Sequence, residues 1–393
     1  MKERMAILDG VRTPMGKASG VLRDVAADDL GAFVVREIMA RTGIEPHRVD
    51  ELIFGNVAQP AHAANIARVI ALKAGLPIPV PAYTVHRNCA SGMESITTGA
   101  NKIMAGEAKI IVAGGTESMS QIPLLYNKPM TRFFENLSKA KTPLAKLGVL
   151  MSFRLSHLAP IIGVMQGLTD PISGLIMGNT AEVLTKEFHI TRDEQDKFSL
   201  MSHQRAAEAI RNGILAQEIL PIPKLPNYEM LVDTDEGPRL NQSMEALAKL
   251  KPFFDRKNGT VTAGNSSQLT DGAASIVLMS ESQAKKEKRP VLGYLHDYAY
   301  ASLDPHRMGL GPVYATAKLL TKSKMKFSDF DYIEMNEAFA AQVIANERAF
   351  ASKAFAEKHL GLSKAIGEID RSAMNINGGA IALGHPVGMT GTR

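Results

Sequence analysis

Cysteine occurs once in 393 residues, at Cys89, and tryptophan not at all. One thiol makes no intrachain disulfide, so no disulfide framework holds this fold. It also supplies too few thiolates for a Cys-based zinc knuckle or an iron–sulfur cluster, and no metal site is expected. Aromatic residues make up only 6% of the chain, which leaves few stacking platforms for single-stranded nucleic acid. Excess charge is small as well: 45 basic against 40 acidic residues, a net +5. So diffuse a surplus suits an anionic small molecule and argues against a nucleic-acid partner. The N-terminal MKERMAILDG lacks the apolar core of a signal peptide, which makes the cytoplasm the default compartment. Walker A, strand-linked Gly-x-Gly-x-x-Gly and His-Glu-x-x-His motifs are absent. Nucleotide hydrolysis, Rossmann dehydrogenation and zinc proteolysis are therefore unsupported.

What is present is an ordinary globular composition, 45% hydrophobic and 22% charged, long enough for two or three domains. The first 120 residues alternate between strand and helix patterns. Met5–Leu8, Leu52–Val57, Tyr83–His86 and Lys109–Ala113 read as strands; Asp28–Arg41, Asn65–Ala74 and Ser91–Ala105 read as helices. This alternation predicts a layered α/β domain with a mixed or parallel sheet. About 280 residues later the pattern echoes. Glu51-Leu52-Ile53-Phe54-Gly55-Asn56 is matched by Asp331-Tyr332-Ile333-Glu334-Met335-Asn336, with helices expected on both sides at Val313–Leu320 and Ala338–Ala351. Two related halves follow. The second stops at Arg393 before a last helix and strand that the first possesses, so the expectation is a longer protein, with an exposed edge where those elements are missing.

Residues 120–264 differ in texture. Lys128, Arg132, Lys139, Lys141 and Lys146 stand against Glu135 alone, and then come the apolar residues Leu147–Thr169. Gly148, Arg154, Pro160, Gly163 and Gly167 interrupt that run, so it is no spanning helix. Two readings stay open: a buried helical excursion, or a basic amphipathic surface over 128–169 that touches a membrane or a partner. Thr191 followed by Asp193-Glu194 predicts a capped helix over 191–212.

Chemistry centres on the lone thiol. Cys89 lies between a strand and a helix beginning near Ser91, where the helix dipole is expected to lower its pKa. Small neighbours (Ala90, Ser91, Gly92) admit a substrate, the layout of an activated nucleophile. Among ten histidines, His385 is the strongest candidate base. Its Gly-rich surroundings, Asn377–Gly388, suggest a tight turn with free backbone N–H groups. Asn336 ends one element and begins another, where it can orient a water or cap a helix. Thr262–Ser267 is a small-residue stretch, open to a ligand or simply a turn.

These blocks resemble the thiolase family over nearly the whole chain. The carriers are Asn88-Cys89-Ala90-Ser91-Gly92, Gly114–Ser120, Thr262–Ser267, Met308–Pro312, Asn336–Gln342 and Asn377–Gly388. The long insert after Met119, with Gly361–Asp370 before the His385 turn, looks most like β-subunit thiolases of fatty-acid oxidation complexes. The resemblance implies a five-layer αβαβα α/β core of two similar halves with an inserted loop domain. The corresponding boundaries are 1–119 and 265–285 for the first half, 120–264 for the insert and 286–393 for the second half. It implies thiolytic cleavage of 3-oxoacyl-CoA, or acetoacetyl-CoA formation in the reverse sense, with coenzyme A as substrate and no permanently bound cofactor. A non-catalytic acyl-CoA or lipid binder is the other reading, should the chain end at Arg393. Carried over, Cys89 is the acylated nucleophile and its backbone N–H an oxyanion donor. His385 is the base, and a water held by Asn336 forms with His385 the oxyanion site for the thioester oxygen, the Cys89 N–H serving the second site. Ser267, Ala263 and Gly264 would contact CoA, and Met177, Phe254, Met308 and Phe339 would line the substrate slot. The family's second Cys, in a Cys-x-Gly turn, has no counterpart here. A homodimer or tetramer and a hydratase/dehydrogenase α-subunit partner are also implied.

Overall fold

The computed structural model describes residues 3–393. Among the described residues eleven strands occur in chain order: β1 (Met5–Arg12), β2 (Gly16–Lys17), β3 (Glu51–Gly55), β4 (Ala82–Val85), β5 (Ile110–Ser118), β6 (Leu124–Leu125), β7 (Ile161–Ile162), β8 (Ile222–Pro223), β9 (Leu231–Val232), β10 (Thr270–Ser280) and β11 (Gly293–Leu295). Seven make one mixed sheet in the order β11-β1-β10-β5-β3-β4, with β2 added on β10. The β4–β3–β5 part is parallel, and the remaining pairs are antiparallel.

Period-two alternation explains why this sheet is covered on both faces. Leu52 and Phe54 of β3, Ile110 and Val112 of β5, and Val277 and Met279 of β10 pack on one side with helices α1 (Ala27–Thr42) and α2 (Ile66–Lys73). Ile53, Ile111, Ala113, Ile276 and Leu278 point the other way, onto Ile96, Ala100 and Ile103 of α3 (Ser91–Met104). β10 comes from far along the sequence, and it completes the first half by pairing with both β1 and β5.

A second core is built mainly from helices. Phe198 of the helix Arg192–Arg211, Val313 of Gly311–Ser323, and Val343, Ile344 and Phe350 of Ala340–Ala351 share one core. Thr191 forms the expected capping box with Glu194. The strand expected at 331–336 is not a ladder: among the described residues, a single bridge joins Ile333 to Met374. Its backbone needs are met by a side chain instead. Asn375 Oδ1 accepts from Met335 N at 2.8 Å, and its Nδ2 donates to Met335 O at 2.9 Å. Phe330, Tyr332 and Ile376 beside this bridge are exposed. A smaller cluster (Met15, Ala206, Ala274, Ala382, Leu383, Met389) ties β10 to the short helix Ala380–Leu383 and hence to the His385 turn.

The chain divides into two compact units, 1–121 with 178–393, and Ile122–Met177. Residues 178–264, grouped with the insert by their sequence texture, pack into the larger unit. The smaller unit pairs β6 with β7 and builds a modest aromatic centre from Phe133, Phe153 and His157. Its helix Pro143–Met151 buries no residue. Leu144, Leu147, Leu150, Met151, Leu155 and Leu158 are all exposed, so the apolar run is not a buried excursion. No helix among the described residues is long and apolar enough to cross a membrane.

Candidate active site

The Cys89 turn is shaped by backbone demands. Asn88 has a φ of 46°, in the left-handed region that Asn tolerates better than most residues. Ser91 staples the turn: its Oγ accepts from Arg87 N at 2.8 Å and donates to Asn88 O at 2.7 Å. Gly55 on β3 lets the turn descend onto the sheet, since a Cβ there would stand 2.5 Å from the Ser91 carbonyl carbon. Gly92 permits a second close approach, because its Cβ would lie 2.6 Å from Thr392 N. The start of α3 therefore abuts the segment directly after the His385 turn.

Cys89 is an exposed free thiol, two residues before the first residue of α3. The expected lowering of its pKa is not found. Desolvation by surrounding protein pushes the thiol up to about 11; its own backbone N–H opposes the rise and the Glu117 charge adds to it. The open solvent face of the residue works against the rise. The dipole loses because its field fades within a turn of the helix end, whereas desolvation acts on the sulfur directly.

His385 is buried, and burial pushes its imidazole down to about 4, so it is neutral near pH 7. Its Nδ1 lies 2.6 Å from Thr390 Oγ1, which itself donates to Pro386 O at 2.9 Å. With that hydroxyl proton committed, Nδ1 carries the ring proton and Nε2 holds the lone pair. Asn336 Nδ2 reaches Nε2 at 3.3 Å, while Asn336 Oδ1 is buried without a partner in the protein. A buried amide oxygen with no donor is a place for a water.

The glycines around His385 do not expose N–H groups as expected. Ile381 N donates to Glu337 and Gly388 N to Glu117, and the turn is buried. These N–H groups serve buried carboxylates and are unavailable to an oxyanion.

The Thr262–Ser267 stretch is a junction. Ser267 N donates to Ala338 O, Ala340 N to Asn265 O, and His385 N to Gln268 O. Ser267 is half-buried and Ala263 exposed, whereas Gly264 is buried against Leu247 and Leu250, where a Cβ would collide. Phe254 packs edge-on against Phe339 with ring centres 6.0 Å apart. Met308 is half-buried in the turn Pro305–Leu310, and Asn346 Nδ2 of the neighbouring helix Ala340–Ala351 bonds to Gly309 O. Met177 belongs to the other unit. Sequence reasoning gave no role to Glu117, Glu337, Asn375, Ser202 or Thr390. Glu117 and Glu337 stood inside the quoted motifs, and a carboxylate among small and apolar residues was the signal available.

The family model of the thiolase N-terminal domain matches residues 5–282, and that of the thiolase C-terminal domain matches residues 289–393. A 3-ketoacyl-CoA thiolase of Yersinia enterocolitica is 42% identical over 392 residues, covering 100% of this chain and 89% of that protein. The structure of the Bacillus anthracis acetyl-CoA acetyltransferase superposes with a TM-score of 0.86 at 39% identity, covering 100% of this chain and 90% of that one. Human mitochondrial 3-ketoacyl-CoA thiolase in complex with CoA gives 0.84 at 35%, covering 100% and 89%. With nearly its full length matched at these identities, the chain belongs to the thiolase family, an α/β fold of acyltransferases.

Proposed function

We propose that this chain cleaves 3-oxoacyl-CoA with CoA, giving acetyl-CoA and a shortened acyl-CoA, in fatty-acid β-oxidation. Cys89 Sγ attacks the 3-keto carbon as His385 Nε2 takes the thiol proton. The C2–C3 bond breaks, its electrons leave as the acetyl-CoA enolate, the imidazolium returns the thiol proton to that carbon to give acetyl-CoA, and the acyl group stays on Cys89. The CoA thiol then gives its proton to the freed imidazole and takes the acyl group, and the imidazolium passes that proton to the departing Cys89 sulfur. Asn336 with a water, and the Cys89 backbone N–H, would receive the developing oxyanions. Ser267 and Ala263 would meet the CoA arm; Phe254, Met308 and Phe339 would line the acyl slot, while Gly264 would shape the loop.

The observation that carries this reading is the neutral, buried His385 with its Nε2 lone pair against Asn336, on a turn that abuts the Cys89 helix. Acetyl-CoA alone tests it, because Cys89 attack on the thioester releases CoA and leaves an acetyl group. Peptide mass spectrometry is expected to find that group on Cys89 in the chain and nowhere in Cys89→Ser. Labelling elsewhere, or none, refutes the assignment. The similarity to an acetyl-CoA acetyltransferase favours a second reading, acetoacetyl-CoA formation. Turnover of long-chain 3-oxoacyl-CoA separates the two.

The same reading includes the half boundaries given above, a cytoplasmic location, a homodimer or tetramer, and an α-subunit partner; the open edge of β4 supports self-association. It also includes peripheral membrane contact through 128–169, supported by the exposed leucines beside exposed Lys128, Arg132, Lys139, Lys141, Lys146 and Arg154. Co-sedimentation with anionic vesicles is expected and is to be lost on deleting 141–158; sedimentation that survives the deletion refutes the contact.

A further inference from the structure

Two glutamates that the chemistry above does not use lie buried on either side of the His385 turn. Glu117, on β5, accepts Gly388 N at 2.8 Å and Val57 N at 3.1 Å on Oε2, and Ala58 N at 2.9 Å and Asn56 Nδ2 at 3.0 Å on Oε1. Glu337, next to Asn336, accepts Ser202 Oγ at 2.6 Å and Ile381 N at 3.2 Å on Oε2, and Asn375 Nδ2 at 2.7 Å on Oε1. Gly388 and Ile381 stand three residues after and four before His385. Each half of the chain thus sends one carboxylate to one end of the turn that carries the imidazole. Packing presses the turn onto both. A Cβ on Gly115 would stand 2.1 Å from Gly388 O, and one on Gly379 would stand 2.1 Å from Glu337 Cδ. None of these bonds comes from a cation. A buried carboxylate held only by amides and a hydroxyl is a costly way to gain stability, which an apolar side chain would supply more cheaply.

We infer that Glu117 and Glu337 are positioning residues that clamp the His385 turn from the two halves and so set the approach of His385 Nε2 to Cys89. The inference rests on the roles assigned above to Cys89 and His385. The clamp acts through backbone N–H groups, so it moves the ring with its turn. Glu117 has a second effect: its charge raises the Cys89 thiol, and that thiol is the ionisable group that feels it. The groups it meets from β3, the following loop and the His385 turn are uncharged amides. Burial in turn raises Glu117 to about 7 against its four donors, and raises Glu337 as well.

Glu117→Gln in the full chain keeps the shape, removes the charge and places an amide donor among donors. Cys89 acylation by acetyl-CoA is expected to slow on the order of 100-fold through misplacement of the base. Alkylation of Cys89 by iodoacetamide at fixed pH 8 is expected to accelerate, because its pH midpoint falls. Loosening of the fold would also wet the thiol and lower that midpoint, so circular dichroism and a urea midpoint unchanged from the parent are required beside it. Glu337→Gln is expected to slow acylation to a similar degree and leave the midpoint in place. Acylation by Glu117→Gln within about two-fold of the parent, or alkylation that slows along with acylation, overturns the inference. Should circular dichroism show Glu117→Gln unfolded, Asn56→Ala removes one donor and leaves the carboxylate. Its acylation is expected to slow several-fold, and an unchanged rate overturns the clamp. Failure of the underlying roles reads differently: the parent chain itself would not acylate at Cys89, or would do so equally well in His385→Asn.

Discussion

His385→Asn is expected to slow acylation of Cys89 by about 1,000-fold, the middle of the range for losing a positioned general base. The size follows from the two perturbed groups. With the thiol raised by desolvation, Cys89 is mostly protonated at pH 8. Attack therefore depends on a base that removes the proton as the bond forms. His385 suits that task through its fixed tautomer: Thr390 holds Nδ1–H and leaves Nε2 as acceptor. The pH dependence carries a sign. The imidazole is base-competent when unprotonated, so its role is full above about 4 and is lost as pH falls through that value. Acylation is expected to stay level from neutral pH down to about 5, where an ordinary histidine at about 6.5 would already have lost it. An acid limb centred near 6.5 would show that His385 is not the base, or is not desolvated. Alkylation of Cys89 by iodoacetamide should survive in His385→Asn, which separates loss of the base from loss of the nucleophile.

The same residues show where sequence reasoning reached and where it stopped. β3 and β5 were readable as short apolar runs buried on both faces, and α1 and α3 by apolar residues recurring at the helical period. Cys89 and His385 were singled out by chemistry that local context suggests, a thiol before a helix and a histidine among glycines. Their electrostatics were not readable. The dipole of α3 is visible in sequence, but β3 and Gly391–Thr392, which pack against Ser91, Gly92 and Met93 at the start of that helix, come from far away along the chain. The glycines at 378–388 looked like a source of free N–H groups, and only the fold reveals that Glu117, about 270 positions away in sequence, accepts one of them. The run 331–336 carries strand-like residues, yet Asn375 supplies the hydrogen bonds that a neighbouring strand would. Long-range partners decided each of these cases.

Asp235→Leu is expected to destabilise the chain by about 3–5 kcal/mol, the cost of stranding a buried charge. Arg12 ends β1 and is 2% exposed. Its Nη1 and Nη2 donate to the two Asp235 oxygens at 2.6 and 2.8 Å, and its Nε donates to Glu218 at 2.6 Å. Asp235 also accepts Met15 N at 2.8 Å. Burial opposes the guanidinium charge, and the two carboxylates more than offset it, so Arg12 stays charged. Removing Asp235 leaves that charge with Glu218 alone, whose side chain is partly in water. The double variant Arg12→Met/Asp235→Leu removes the stranded charge and is expected to recover most of the loss, as replacements of buried ion pairs by apolar residues often do. Urea midpoints for the parent, both single variants and the double variant measure the coupling. The argument fails if Asp235→Leu lies within about 1 kcal/mol of the parent. The consequence extends to chemistry, because the segment this ion pair holds runs over the His385 helix. A Cβ on Gly237 would stand 2.3 Å from Ala382 O, so a segment freed by Asp235→Leu is also free to release the turn that carries the base.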